Sequence, residues 1–175
     1  MDSDAAGRAR RRRFDRIVGV LHQDMYRYAL WLSRDRAIAE DVVQEALFRA
    51  WKSLDALRED EAAKSWLLTI VRRENARYFE RRRLDTVDVD ALTPAQAAEV
   101  SERFDGADEA LDELRAAIFE LEDGYREPLV LQVLLGYSTQ EIAAHMDLNQ
   151  GAVLTRLHRA RLQLKASLAG PEAAS

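Results

Sequence analysis

His22, His145 and His158 are the three imidazoles of a 175-residue chain that contains no cysteine. They are scattered singly along helical segments, without the spacing of a metal site or the company of a nucleophile, so solvent-exposed or capping roles fit them better than hydrolytic chemistry. No catalytic residue, metal or cofactor is expected. The residues that can do specific chemistry lie near the C-terminus: Thr155, Arg156, Arg159 and Arg161. An arginine can donate two hydrogen bonds to one guanine edge, and arginines beside it can neutralise phosphates. The chemistry predicted is recognition of DNA, and the question becomes what would hold these side chains in a groove.

The local sequence supplies an answer. Ser138-Thr-Gln-Glu141 has capping-box spacing, in which the serine hydroxyl accepts from the third amide and the glutamate reaches back. Ile142, Ala143 and Met146 give a packing face, Asp147-Leu148-Asn149 a turn, and Asn149 an N-cap for a second helix. At 100° per residue, Val153, Leu157, Ala160 and Leu164 fall within an arc of about 60° and must face a core. Thr155 and Arg159 then lie nearly opposite, with Ala152 and His158 beside them. Arg156, Arg161 and Lys165 occupy the flanks. This is the build of a helix-turn-helix whose second helix enters the major groove. An amphipathic helix pair with a solvated basic face is the plainer reading of the same pattern.

The rest of the chain is helical in pattern. Val18, Leu21, Met25, Ala29 and Leu32 form one apolar stripe; Ile38, Val42, Val43, Ala46, Leu47, Ala50, Trp51 and Leu54 form a second. Trp66, Leu67, Ile70, Val71 and Tyr78 form a third. Pattern returns at Leu111, Leu114, Ile118 and Leu121, breaks at Asp123-Gly124, and resumes from Pro128 to Leu135, where Gly136 suits a helix end. The fold expected is all-α: two small helical domains joined by an acidic flexible linker. The divisions are a basic disordered tail over 1–13, a first domain over 14–83, the linker over 84–112, a second domain over 113–168 and a tail over 169–175.

Net charge is −5, which by itself disfavours a nucleic-acid partner, but its distribution matters more because attraction to phosphate decays over about 10 Å at 0.1 M salt. Residues 64–83 carry seven cations against two acids, residues 151–168 four cations and no acid, and residues 84–112 nine acids against Arg103 alone. Two basic segments flanking an acidic one predict weak DNA binding by the free chain and a partner that holds it on DNA. No apolar run approaches the roughly 20 residues that span a bilayer, and the N-terminus lacks the marks of a secretory signal. A cytoplasmic protein is expected.

Three stretches in order resemble a known family. Ala39-Glu-Asp-Val-Val-Gln-Glu-Ala-Leu-Phe-Arg-Ala-Trp51 resembles the helix by which bacterial RNA polymerase sigma factors dock on the clamp coiled coil of the largest catalytic subunit. Ser65 to Arg83 resembles the promoter-melting helix, and Tyr137 to Arg161 the region 4 helix-turn-helix that reads the −35 element. Their order and spacing are similar to those of the two-domain extracytoplasmic-function (ECF) subfamily of the sigma-70 family, over roughly Phe14 to Leu168. The resemblance implies that Asp41, Gln44 and Glu45, with Arg49, grip core polymerase. Leu54 to Lys64 would be the loop that captures a flipped −10 base. Lys64, Arg72, Arg73, Asn75, Arg77, Arg81, Arg82 and Arg83 would hold −10 DNA, and Ala152, Thr155, Arg156, Arg159 and Arg161 would meet the −35 element. Trp66 and Trp51 would be core residues. The acidic linker would thread the polymerase cleft. Partners implied are core RNA polymerase (beta and beta-prime subunits), promoter DNA and a membrane-anchored anti-sigma factor.

The chain departs from the family pattern at two places. Arg73 stands where many members have asparagine, and Leu154 where a lysine or arginine usually follows Thr-Val, a pair that is Ala152-Val153 here. A weaker or altered −35 preference is the expectation from the second. On the residues alone, a one-component helix-turn-helix regulator with a helical dimerisation or sensor domain remains the alternative, one that would need a dimer matching half-site spacing.

Overall fold

The structure is a computed structural model that describes residues 2–85 and 109–169. Seven α-helices and two short 3-10 turns account for nearly all of these residues, and no strand occurs among them. They are α1 (Asp2–Ser33), α2 (Arg36–Lys52), α3 (Ala63–Asp85), α4 (Glu109–Glu120), α5 (Asp123–Val133), α6 (Thr139–Met146) and α7 (Gln150–Leu168), with 3-10 turns at Leu54–Ala56 and Asp60–Ala62. The chain divides into two compact units, α1–α3 in the first and α4–α7 in the second. Most of the expected acidic linker, residues 86–108, lies outside the described residues, as do residues 170–175 of the expected tail.

In the first unit α1 packs along α3, and Met25, Tyr28, Val42, Leu67, Leu68 and Val71 are fully buried. The stripes of α2 and α3 fall largely where the periodicity places them. That of α1 is wider than expected: Ile17 and the consecutive residues Tyr28, Ala29, Leu30 and Trp31 are buried, so the C-terminal turn of α1 is enclosed on all sides. Trp51 and Trp66 are half-buried rather than core residues.

The expected disordered tail over 1–13 is corrected by the structure. α1 begins at Asp2 and runs unbroken through Arg8 to Arg13. Nothing in this stretch breaks a helix, arginine is a good helix former, and Arg10 and Arg13 find partners at Asp55 and Leu57 on the loop after α2.

In the second unit α7 packs against α4, α5 and α6, with Leu131, Ile142, Val153 and Leu157 fully buried between them. α4 starts at Glu109, so the last residues assigned to the linker are helical. α5 begins at Asp123 rather than at Pro128, which sits inside the helix with its ring buried. Arg126 explains the early start. Its guanidinium is buried and donates from Nη1 to the carbonyls of Phe119 (3.1 Å) and Leu121 (3.0 Å) and from Nη2 to Asp123, tying the end of α4 to the first turn of α5. Burial pushes its pKa below the ordinary arginine value, yet it remains a cation at any physiological pH. At the far end of α5, Gly136 takes φ +72°, the left-handed conformation expected of it, and the Tyr137 amide donates to Leu131 O at 2.9 Å.

Candidate nucleic-acid and partner interfaces

The helix-turn-helix is built by local chemistry. Ser138 Oγ accepts from the Glu141 amide at 3.2 Å while Glu141 Oε2 accepts from the Ser138 amide at 2.8 Å, closing the capping box that starts α6. Asp147 ends α6 in the left-handed conformation (φ 56°, ψ 49°), and Leu148 N–H returns to Ala143 O at 2.8 Å. Asn149 Oδ1 accepts from the Ala152 amide at 2.8 Å, which fixes the first turn of α7. These three devices set the angle at which α7 leaves the turn.

On α7, Val153, Leu157 and Ala160 are buried and Thr155, His158, Arg159 and Arg161 are exposed, with Ala152 and Arg156 half-buried. The outer face therefore carries the side chains the helical angles placed there. Two of its arginines are held from α5: Arg159 Nη1 donates to Tyr125 Oη at 3.4 Å, and Arg161 Nη2 to Gln132 Oε1 at 2.6 Å. Thr155 Oγ1 donates to Gly151 O at 2.9 Å, leaving its lone pairs outward. Tyr125 and Gln132 were not legible as site residues, because nothing in a sequence says that α5 runs beside α7. Leu154 is an apolar side chain 56% exposed on α7.

In the first unit, Asp41, Gln44, Glu45 and Phe48 of α2 and Tyr78, Arg81 and Arg82 of α3 line one open groove of about 610 Å³. Acidic and amide groups thus face cations across it. A chain of charges starts from its Glu45: Arg49 lies 3.1 Å from Glu45 and 3.5 Å from Glu74, and Glu74, only 2% exposed, also accepts from Arg77. This network ties α2 to α3 through one buried carboxylate. Phe48, 52% exposed with the Lys52 ammonium 4.1 Å above its ring, is a groove residue that the sequence reading passed over. An exposed aromatic on a polar helix face was the signal.

The residues expected to hold −10 DNA do not form one face. Arg73, Arg77, Arg81 and Arg83 are exposed, and Arg81 and Arg82 belong to the groove, with Arg82 Nη1 3.5 Å from Tyr78 Oη. Arg72 is half-buried. Lys64 is half-buried against Asp24 of α1 at 2.9 Å, and Asn75 points its carbonyl oxygen into the interior. The loop between α2 and α3 holds its shape by Leu54 and Leu57, both buried, while Arg58 and Glu59 are exposed at its tip. Among the described residues no group of three metal-binding side chains occurs; His22 and His158 are exposed, and His145 is buried edge-on to Tyr137, with ring centroids 5.8 Å apart. No described helix is long and apolar enough to cross a membrane.

Known proteins share this order of parts. Residues 17–84 match the family Sigma-70 region 2, and residues 111–164 match Sigma-70, region 4. The chain is 34% identical over 147 residues to the ECF RNA polymerase sigma factor SigL of Mycobacterium tuberculosis, covering 82% of each protein. It is 26% identical over 152 residues to the ECF RNA polymerase sigma factor SigX of Bacillus subtilis, covering 83% of this chain and 78% of that one. Among solved structures, the sigma factor RpoE in complex with the anti-sigma factor NepR from Bartonella quintana is similar, with a TM-score of 0.71, 27% identity, and 90% and 98% of the two chains covered. CnrH in complex with the cytosolic domain of CnrY is similar too, with a TM-score of 0.64 at 25% identity, over 93% and 89% of the two chains. With the helix-turn-helix and the α2 face in the order that the family requires, the chain belongs to the extracytoplasmic-function sigma factors of the sigma-70 family.

Proposed function

We propose that the chain binds core RNA polymerase through the α2 side of its groove, with Asp41, Gln44 and Glu45 as the gripping residues, and directs the enzyme to promoters by reading −10 and −35 elements. The observation that carries this reading is the gathering of Asp41, Gln44, Glu45 and Phe48 along one exposed groove, in a chain whose other unit presents Thr155 and Arg159 outward on a capped recognition helix. The alternative of a free dimeric regulator draws on no observation of comparable kind.

The physics is that of two weak contacts made strong by a scaffold. α7 offers three arginines and Lys165 with no acid along its length, enough to neutralise only a few phosphates, and affinity from such contacts falls steeply with salt. Once polymerase holds the first unit, the second contact becomes intramolecular, and its effective concentration rises without any new interaction. Opening DNA then loses stacking worth on the order of 1.4 kcal/mol per base step. Capture of an unstacked base in the Leu54 to Lys64 loop, with phosphate neutralisation by Arg73, Arg77 and Arg83, offsets that loss without nucleotide hydrolysis.

An anti-sigma partner, anchored in the membrane, is part of the proposal; the complex of RpoE with the anti-sigma factor NepR supports the existence of such a partner, not its anchoring. Run-off transcription with purified core polymerase on a genomic promoter library tests the whole. Transcripts from a defined promoter set that require this chain are the expected result. Failure to associate with core, together with tight dimeric binding to a palindrome, would refute it.

A further inference from the structure

The N-terminal arginines, which the sequence offered as a tail, meet the α2–α3 loop at both of its ends. Arg10 Nη2 donates to Trp51 O at 2.7 Å, its Nε lies 3.3 Å from Asp55 Oδ1, and its guanidinium carbon stands 4.4 Å above the Trp51 ring. Phe14 buttresses that ring edge-on, at 5.3 Å between centroids. Arg13 donates to Asp60 Oδ1 and to Leu57 O, both at 2.8 Å. Arg16 takes the other oxygen of Asp60 at 2.6 Å. Three arginines at steps of three on one helix thus hold two carbonyls and two carboxylates of the ten-residue stretch 51–60.

Apart from these arginines, the loop is fixed by the burial of Leu54 and Leu57 and by a few local backbone bonds. Its backbone bonds are two closures in each of two 3-10 turns, Ala56 N to Ser53 O and Leu57 N to Leu54 O in the first, Ala62 N to Glu59 O and Ala63 N to Asp60 O in the second, and residues 57–59 between them have no regular structure. Arg10 and Arg13 are also set apart from their neighbours: their side chains are 31% exposed, against 80% for Arg11. The guanidinium forks serve a carbonyl and a carboxylate at once, which a lysine cannot do in this geometry.

We infer that Arg10 and Arg13, assisted by Arg16, are positioning residues for −10 base selection: they hold the 54–62 loop in the shape that admits a flipped base. The inference rests on the reading of this loop as the −10 base pocket. Partly exposed ion pairs add little to global stability, whereas ordering a binding loop beforehand removes its ordering cost from the binding step. The effect of the clamp therefore falls on discrimination between bases more than on folding.

The test uses the full chain reconstituted with core polymerase and two promoter panels, one varying every −10 base with a fixed −35 element, the other the reverse. Arg10→Gln with Arg13→Gln is expected to lower the ratio of best to worst −10 base by about five- to tenfold, with the −35 ratio and core affinity unchanged within twofold. Should the double variant fail to fold, as read by tryptophan fluorescence, Arg13→Lys carries the test, since it keeps the charge and loses the fork. Loss of transcription by the same factor at every promoter would overturn the inference in favour of a plain structural role. So would an intact −10 ratio where Arg58→Ala with Glu59→Ala, at the loop tip, changes it. If the tip variant and the arginine variants all leave −10 preference intact, the reading of the loop itself falls.

Discussion

Replacing Arg126 with alanine should unfold the second unit, α4–α7, while leaving the first unit, α1–α3, intact. The side chain is 2% exposed and its Nη1 serves the carbonyls of Phe119 and Leu121, residues that are themselves buried. Each buried acceptor left without a donor costs about 1–3 kcal/mol. Losing the packed stem adds roughly 1 kcal/mol. The total, about 3–7 kcal/mol, meets a domain of about 60 residues whose whole stability is expected at roughly 3–9 kcal/mol. The assay exploits an accident of composition: Trp31, Trp51 and Trp66 are the three tryptophans of the chain and all lie in the first unit. Fluorescence therefore follows that unit alone, whereas ellipticity follows both, with roughly two fifths of the helical residues in α4–α7.

In urea the wild-type ellipticity should be lost late, and that of the alanine variant should lose its α4–α7 share at least about 1.5 M earlier, at a slope of roughly 1–2 kcal/mol per molar. Fluorescence should not move. Arg126→Lys should fall between the two, because one ammonium cannot serve both carbonyls and Asp123 from a single position. An alanine variant whose ellipticity curve lies within about 0.5 kcal/mol of the wild type would refute the assignment of Arg126 as the tie between α4 and α5.

Further expectations follow from the two faces. Gln44→Ala with Glu45→Ala should weaken binding to core polymerase at least tenfold without altering the fluorescence-detected unfolding midpoint; unchanged affinity in a titration would reject the α2 face as the docking site. Arg159→Ala should lower discrimination among −35 sequences by about ten- to a hundredfold, the equivalent of roughly 1–3 kcal/mol for a bidentate base contact, and leave −10 discrimination alone. Leu154→Lys should raise promoter affinity and steepen its salt dependence by close to one counterion, as measured by titration at several salt concentrations. Asp60, hydrogen-bonded by Arg13 and Arg16, is held below its ordinary carboxylate pKa. A depressed acid stabilises above its unfolded pKa, about 4, and loses that contribution as pH falls through its folded value. The stability difference between wild type and Asp60→Asn should thus be constant above about pH 5 and vanish in stronger acid, where acid unfolding monitored by fluorescence would show it.

What was legible in this chain, and what was not, divides by distance along the sequence. The capping box of Ser138 and Glu141 and the cap of Asn149 on the Ala152 amide close within three residues, so spacing alone announced them. Val153, Leu157 and Ala160 repeat a helical period and were buried as the period required. The arginines at 10 and 13 bond to carbonyls 41 and 44 residues away. A run of cations in one dimension looks the same whether its partner is solvent, phosphate or a distant loop. Arg126 misled for a related reason: its two acceptors lie only five and seven residues back, but a backbone carbonyl has no sequence signature, so Asp123-Gly124 looked like a break where α5 in fact begins. The blind spot is therefore systematic. Side-chain donors that hold backbone carbonyls leave no pattern, and in this chain they hold the loop proposed to take the −10 base and the turn between α4 and α5. A sequence reading of such a protein will name the residues that touch DNA sooner than those that decide how well they are aimed, and substitutions in the second group should alter promoter choice while every contact residue remains in place.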